Sequence, residues 1–127
     1  MVNAIVDIET DAIEANTIHC IVARCYSTNE QKIWVQEECK QFREWSSRIN
    51  NFIMHNGISF DAPILNRLTS SNIKLSQVRD TLIESQLYNP IRDGGHSLKA
   101  WGERLNFPKG NFTEFKQYSP EMLEYCK

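Results

Sequence analysis

Three stretches near the amino terminus have the pattern of β-strands: apolar and polar residues alternate in the first, and the other two contain mostly apolar runs. Residues 2–9, 17–26 and 31–36 are rich in β-branched and aromatic side chains, and a polar turn cluster separates the last two stretches. Because short turns connect consecutive strands, the pattern predicts an antiparallel meander.

The middle of the chain changes from alternation to helical spacing. Phe42, Trp45 and Ile49 recur at intervals that place them on one face of an amphipathic helix. The other predicted elements are short strands over 51–55 and 73–78, helices over 61–68 and 81–88 and from Ser97, a loop over 107–118 and a last helix from Ser119. A meander followed by alternating helices and strands predicts the α/β class, with a mixed sheet flanked by helices.

Length and charge narrow the class of protein. The chain has 127 residues, which suits one domain with its own core, and 41% of them are hydrophobic, as in ordinary globular proteins. The formal net charge is −2. Proteins that coat nucleic acid through bulk phosphate attraction are usually basic. We therefore expect any nucleic-acid binding at a local site, where metal ions offset acidic side chains.

The cysteines and the amino terminus bear on the compartment. Cys20, Cys25, Cys39 and Cys126 show no spacing typical of zinc sites, so we expect reduced thiols. The chain enters its first strand without a leader-like segment, and no apolar stretch is long enough to span a membrane. We therefore expect a cytoplasmic protein without a membrane partner.

The first predicted strand carries two acids where a core would take apolar side chains. Asp7 and Glu9 are two residues apart, so they stand on one face, roughly 6.5–7 Å from each other. Two such charges raise each other's pKa unless a cation or a donor lies between them. A divalent ion with oxygen ligands is the simplest remedy. The alternative is an ordinary solvated strand end.

A third acid follows the next buried strand. That strand ends at His55, a glycine-containing turn follows, and Asp61 begins a helix. Asp61 is either the N-cap of this helix or part of a site, since ligands in open α/β sheets bind beside the carboxyl ends of strands. In the second case it joins Asp7 and Glu9 at a pair of metal ions suited to phosphodiester cleavage.

Four segments, in this order along the chain, resemble the motifs of the DEDD 3′–5′ exonuclease superfamily. They are residues 7–13 (DIETDAI), 55–61 (HNGISFD), 79–85 (RDTLIES) and 96–105 (HSLKAWGERL). The resemblance is to the proofreading domain of family A DNA polymerases, above all those of T7-like phages. It implies a ribonuclease H-like fold, a single exonuclease-like domain over residues 1–127 and DNA replication in a phage-infected bacterial host.

The resemblance also assigns the metal ligands. It implies that two Mg²⁺ or Mn²⁺ ions bind here, that Asp7 bridges both, and that Glu9 holds the ion that activates water. Asp61 completes the shell of the second ion. Tyr125, in the last predicted helix, orients the attacking water.

The substrate in this reading is the 3′ end of a single DNA strand. Thr10 contacts the terminal nucleotide through its backbone or hydroxyl, and Ile13 wedges against the terminal base. Phe60 stands where many relatives have tyrosine, so it packs but donates no hydroxyl. Asn56 contacts the substrate backbone.

Two further residues have alternative roles. Asp80 is either a functional acid of the family or a structural residue that holds the start of a helix. His96 is read as a contact at a helix terminus rather than a metal ligand.

The chain departs from the family after Tyr125. The third motif is Y-x-x-x-D, and its aspartate falls two positions beyond Lys127. Glu121 lies one helical turn on the wrong side of Tyr125, and Glu124 points to a neighbouring face, so neither replaces it. We therefore expect a domain whose C-terminal helix is truncated and whose activity alone is weak or absent. It is either a truncated product or one part of a split polymerase, whose partner polypeptide supplies the last helix.

Three functions are compatible with the sequence. The first is proofreading 3′–5′ exonuclease activity on single-stranded DNA. The second is a non-catalytic module that binds a polymerase or a nucleic-acid end through the same fold. The third is an RNA 3′–5′ exonuclease, because metal-assisted hydrolysis does not depend on the sugar.

Overall fold

A mixed five-stranded sheet organises the chain. The structure is a computed structural model, and it describes residues 2–91 and 94–105. The strands are β1 (Asn3–Thr10), β2 (Ile18–Cys25), β3 (Gln31–Val35), β4 (Asn51–Met54) and β5 (Val78–Asp80). Their order across the sheet is β3-β2-β1-β4-β5.

Short helices connect and cover the strands. The α-helices are α1 (Phe42–Ser46), α2 (Ala62–Leu68), α3 (Thr81–Tyr88) and α4 (Leu98–Arg104). Two 3₁₀ turns (Gln36–Gln41 and Leu75–Gln77) and one π-helical turn (Gly57–Asp61) complete the elements. No helix in the described part of the chain is long and apolar enough to cross a membrane.

The pairing confirms the predicted meander and the mixed sheet. β1 pairs antiparallel with β2, and β2 with β3. β1, β4 and β5 are parallel, so their carboxyl ends point to the same edge. The predicted α/β class is therefore confirmed, and this shared edge is where ligands bind in such sheets.

The core lies on one face of the sheet. Ala4, Val6 and Ile8 of β1 belong to this core, together with the buried residues of α2. At the far side, the rings of Trp34 and Phe42 meet edge to face with centroids 5.2 Å apart. Burial of this kind stabilises at about 25 cal/mol per Å² of apolar surface, so the core anchors the sheet on which the acids stand.

The predicted strand over 73–78 is wrong in position. The chain forms a 3₁₀ turn at Leu75–Gln77, and β5 begins only at Val78. The Gln77 side chain explains the shift: its Oε1 accepts from the Lys74 N–H at 3.0 Å, and its amide donates to the Ile49 carbonyl at 3.3 Å. A polar side chain thus stabilises a turn that the apolar residues alone did not indicate.

Two other predicted boundaries also differ. β3 ends at Val35 because Gln36 has φ of 51°, which cannot continue a strand. α1 ends at Ser46, although Ile49 is buried as its helical spacing predicts.

Part of the prediction lies outside the described residues. The loop over 107–118, the last helix and Tyr125 belong to it, as does Cys126. Cys20, Cys25 and Cys39 are free thiols, as predicted.

Candidate functional site

Asp7 and Glu9 lie together on the less buried face of β1. Exposure alternates along the strand: Ala4 is buried, Ile5 on the other face is 44% exposed, and both acids are half-buried on the face of Ile5. β1 pairs with β4 only as far as Ile5, so the acidic end of β1 extends past β4. The pairing with β2 shifts register between Glu9 and Thr10, an irregularity of the kind that often lies beside active sites.

The connection from β4 to α2 is a tight turn in an uncommon conformation. Asn56 has φ of 63°, in the left-handed region that asparagine tolerates better than most residues. A π-helical turn, Gly57–Asp61, follows, and such turns are frequent at functional sites. Glycine is required at position 57 because the backbone there passes close to Met54: a Cβ at Gly57 would lie 2.3 Å from the Cβ of Met54. The turn is thus packed directly against the end of β4.

Asp61 is buried at the start of α2 without capping it. Only 4% of the residue is exposed. Its backbone is helical, with φ of −61° and ψ of −49°, and no side-chain hydrogen bond caps α2. An N-cap residue instead has non-helical backbone angles and accepts from the first turn. The N-cap alternative for Asp61 is therefore wrong, and its carboxyl group is buried for another reason.

The surroundings of Asp61 disfavour its charged form. Burial raises the pKa of Asp61 to about 8, and the charge of Asp7 acts in the same direction. Glu9 and Asp80 add smaller repulsions. The three acids predicted as metal ligands therefore lie within electrostatic reach of one another, at the edge where the parallel strands end. Perturbed acids in such a cluster are typical of functional sites.

Asp80 is buried to the same extent as Asp61, but its carboxylate accepts several backbone hydrogen bonds. Its Oδ1 accepts from the backbone N–H of Asn56 at 2.9 Å, of Leu82 at 3.0 Å and of Ile83 at 3.4 Å. Its Oδ2 accepts from the N–H of Ile58 at 3.1 Å. Of the two roles predicted for Asp80, the structure shows the structural one, in which its side chain caps the start of α3. No pattern in the sequence indicates that the same carboxylate also holds the turn after β4.

A small cavity brings the predicted substrate residues together. Its volume is about 330 Å³, and it is lined by Ile8, Glu9, Thr10, Asp11, Ala12, Ile13 and Phe60. Ile13 is 87% exposed at its rim, whereas Phe60 packs against the core from below. The Thr10 hydroxyl donates to the Ala12 carbonyl at 2.8 Å, so a contact through the Thr10 backbone is the simpler of its two predicted modes.

Asp11 is a residue of this site that the sequence reasoning missed. Its Oδ1 accepts from the backbone N–H of Asn16 at 3.0 Å and of Thr17 at 3.1 Å. Burial acts to raise the pKa of Asp11, but these hydrogen bonds outweigh it and lower the pKa. Asp11 thus closes the loop that presents Ile13. An aspartate directly after a strand and before a polar loop was the available signal.

Asn56 and His96, the remaining residues with predicted roles, lie in different parts of the fold. Asn56 is exposed at the start of the turn after β4. His96 instead lies between α3 and α4: its Nε2 donates to the Pro90 carbonyl at 3.0 Å, and its Nδ1 lies 2.7 Å from the Ser85 hydroxyl. Among the described residues, His96 therefore has a structural place, consistent with a helix-terminus contact.

The acids fit a hard divalent cation by their chemistry. Within residues 2–91 and 94–105, no group of three or more His, Cys, Asp or Glu side chains is set closely enough to hold an ion. The donor set is nevertheless all carboxylate oxygen, which Mg²⁺ and Mn²⁺ prefer. A positive charge would also relieve the repulsion around Asp61.

Comparison with known proteins finds similarity to solved structures. Neither the protein-family models nor the curated proteins match this chain. A solved structure does: the family B DNA polymerase from the hyperthermophilic archaeon Pyrobaculum calidifontis is similar over 99% of this chain, with a TM-score of 0.71 and 10% sequence identity. The match covers 22% of that polymerase, so this chain spans about a fifth of its length.

At this level of identity, the match establishes the fold. The chain has an α/β fold similar to part of that polymerase, with a mixed five-stranded sheet flanked by helices, and the predicted α/β class is confirmed. The matching protein is a family B polymerase, whereas the sequence motifs resemble family A.

Proposed function

We propose that this chain is a 3′–5′ exonuclease module of a DNA polymerase, acting on single-stranded DNA ends. The observation that carries the proposal is Asp61, buried without a capping role beside Asp7 and Glu9, with its pKa raised to about 8. A buried acid under such repulsion is costly to a fold that makes no use of it. Its place at the shared strand edge matches where α/β proteins bind ligands.

Asp7, Glu9 and Asp61 would hold Mg²⁺ or Mn²⁺ in this site. Two bound ions supply an activated water and stabilise the leaving oxygen of the phosphodiester. The protein's own contribution is positional: β1 sets Asp7 and Glu9 on one face, and the turn after β4 fixes Asp61. Tyr125 enters the proposal through its motif alone, as the residue that orients the water.

The terminal nucleotide would lie in the cavity beside Glu9. Ile13 at the rim offers an apolar surface to the last base, and Phe60 forms the opposite wall. Thr10 contributes backbone contacts at the end of β1, and Asn56 reaches the sugar–phosphate backbone from the turn. Base stacking on apolar side chains is tolerant of sequence, as proofreading requires.

The finer assignment follows the order of the motifs. It places the chain in the family A, phage-type branch, in the cytoplasm of an infected host. It also gives the module a polymerase domain, or a complementary polypeptide that supplies a last helix, as its protein partner.

A single-turnover assay tests the proposal. The protein is held in excess over a 5′-labelled single strand with Mn²⁺, so that even slow cleavage is recorded. We expect products shortened stepwise from the 3′ end, lost with a chelator and in Asp7→Ala, and retained in Ser97→Ala, which lies in a different part of the fold. Because the sequence predicts weak or no activity for this chain alone, the decisive result is cleavage that Asp7→Ala leaves unchanged, which contradicts the exonuclease proposal.

A non-catalytic binding module is the second candidate. It is favoured by the absence of a closely set metal-binding group among the described residues. In that case Asp7→Ala leaves the affinity for a single strand or for a polymerase unchanged. Matched RNA and DNA strands in the single-turnover assay separate the third possibility, an RNA exonuclease, by which strand is shortened faster.

A further inference from the structure

We propose that Asp80 is a positioning residue for Asp61, in addition to capping α3. The proposal rests on the proposed function, because the position of Asp61 matters only if its carboxylate is used. Asp80 does not line the cavity around Glu9, and it acts through backbone groups rather than on a substrate.

The two carboxylate oxygens of Asp80 accept hydrogen bonds from different sets of backbone groups. Oδ1 serves the start of α3 through the N–H groups of Leu82 and Ile83, and it also accepts from Asn56. Oδ2 accepts only from Ile58, at 3.1 Å. An ordinary N-cap needs no second oxygen directed at another segment. The bond to Ile58 therefore serves the turn after β4 and not the helix.

That turn needs support from outside itself. Asn56 adopts the left-handed conformation and Gly57–Asp61 form a π-helical turn, both of which cost energy relative to ordinary helix or strand. Asp80 holds the turn at Asn56 and Ile58, while the contact of Gly57 with Met54 fixes it from the side of β4. Asp61 follows Ile58 by three residues in the same turn, so its place depends on both supports.

The register of the sheet makes this arrangement possible. Asp80 is the last residue of β5 and pairs in register with Met54, the last residue of β4. Its carboxylate therefore stands beside the point where the chain leaves β4. Hydrogen bonds from backbone N–H to a carboxylate are among the stronger ones in proteins, which suits a contact that must define a position.

The substitution Asp80→Asn separates the two roles. An amide that keeps its oxygen toward Asn56 and Leu82 directs its own N–H₂ at the Ile58 N–H and loses that bond. The opposite orientation sacrifices three bonds to keep one. Ser97→Ala is the matched control, because it removes the cap of α4, where Ser97 accepts from the Ala100 N–H, without touching the turn.

Two measurements read the result. Amide hydrogen exchange, followed by NMR, should quicken roughly tenfold at Ile58 in Asp80→Asn, more than at Leu82, as for loss of one hydrogen bond to a charged group. Mn²⁺ affinity should fall roughly tenfold, as when a residue that orients metal ligands is removed. Ser97→Ala should change neither.

The outcomes distinguish this inference from the proposed function. Unchanged exchange at Ile58, or an equal loss of Mn²⁺ affinity in Ser97→Ala, overturns the positioning role. If the parent chain binds no Mn²⁺, the proposed function fails on its own, and the proposal for Asp80 as a residue that positions a metal ligand fails with it. In that case faster exchange at Ile58 would mark Asp80 as a structural residue only.

Discussion

Two junctions of this fold lead from a parallel strand into a helix with a buried aspartate, yet they treat that aspartate in opposite ways. Asp61 before α2 and Asp80 before α3 are each 4% exposed. Asp80 has extended backbone angles and accepts four backbone N–H groups, whereas Asp61 has helical angles and caps nothing. Burial alone therefore does not separate a structural acid from a candidate catalytic one; the backbone partners do.

The difference has an energetic consequence. The hydrogen bonds at Asp80 replace those that its carboxylate gave up to water, so its burial is compensated. Burial and the charge of Asp7 raise the pKa of Asp61 to about 8, so ionising it in the folded protein costs free energy. The β4–α2 junction thus stores a cost that a bound cation would offset.

The largest expected effect is the pH dependence that Asp61 imposes on stability. Because its pKa rises from 3.8 to about 8 on folding, the folded state keeps a proton that the unfolded state loses. Stability from this source is complete below pH ~4, declines as pH rises and is lost by about pH 8. At about 1.4 kcal/mol per pKa unit, the upper bound is roughly 6 kcal/mol.

Urea denaturation across this pH range, without divalent ions, measures the effect. Asp61→Asn cannot ionise and should show a flatter stability profile than the parent chain, with the greatest gain near pH 8. Superimposable profiles for the two proteins would remove the energetic contrast between the junctions.

The next effect is the loss of Asp80. Asp80→Ala leaves four backbone N–H groups without their charged acceptor and should lower the free energy of unfolding by roughly 3 kcal/mol. Ser97→Ala, which removes only an ordinary cap, should cost about 1 kcal/mol. Equal losses in the two variants, measured by chemical denaturation, would mean that Asp80 is no more than a helix cap.

A smaller effect is expected at Gly57. A methyl group there meets the Cβ of Met54 at 2.3 Å and forces the turn outward, at a cost of about 2 kcal/mol. Ser59→Ala, at an exposed position in the same turn, should change stability by less than about 0.5 kcal/mol. If Gly57→Ala is as mild as Ser59→Ala in thermal unfolding, the turn is not held by its contact with β4.

The sheet was predictable because its signals are local. Alternation in β1, the spacing of Phe42 and Trp45, and the cap at Ser97 each act within a few residues. These patterns were enough for the meander and the α/β class. The wrong strand over 73–78 arose where a distant polar contact, from Gln77 to Ile49, decided the local conformation.

The site was predictable in its residues but not in its construction. The spacing of Asp7 and Glu9 gave their shared face, since strand geometry fixes it. Asp61 and Asp80 look alike in sequence, each preceding a helix, and only contacts across 22 and 24 residues show which one has backbone partners. The π-helical turn had no sequence signal, because it depends on packing against Met54.

Calorimetric titration with Mn²⁺ at pH 7.5 tests the central claim, that the buried acid which caps no helix is a metal ligand, most directly. The parent chain and Glu44→Gln, which alters an exposed acid on α1, should bind the ion with the same affinity. Asp61→Asn should bind at least roughly tenfold more weakly. Binding that is absent from the parent chain, or unchanged in Asp61→Asn, would contradict the account.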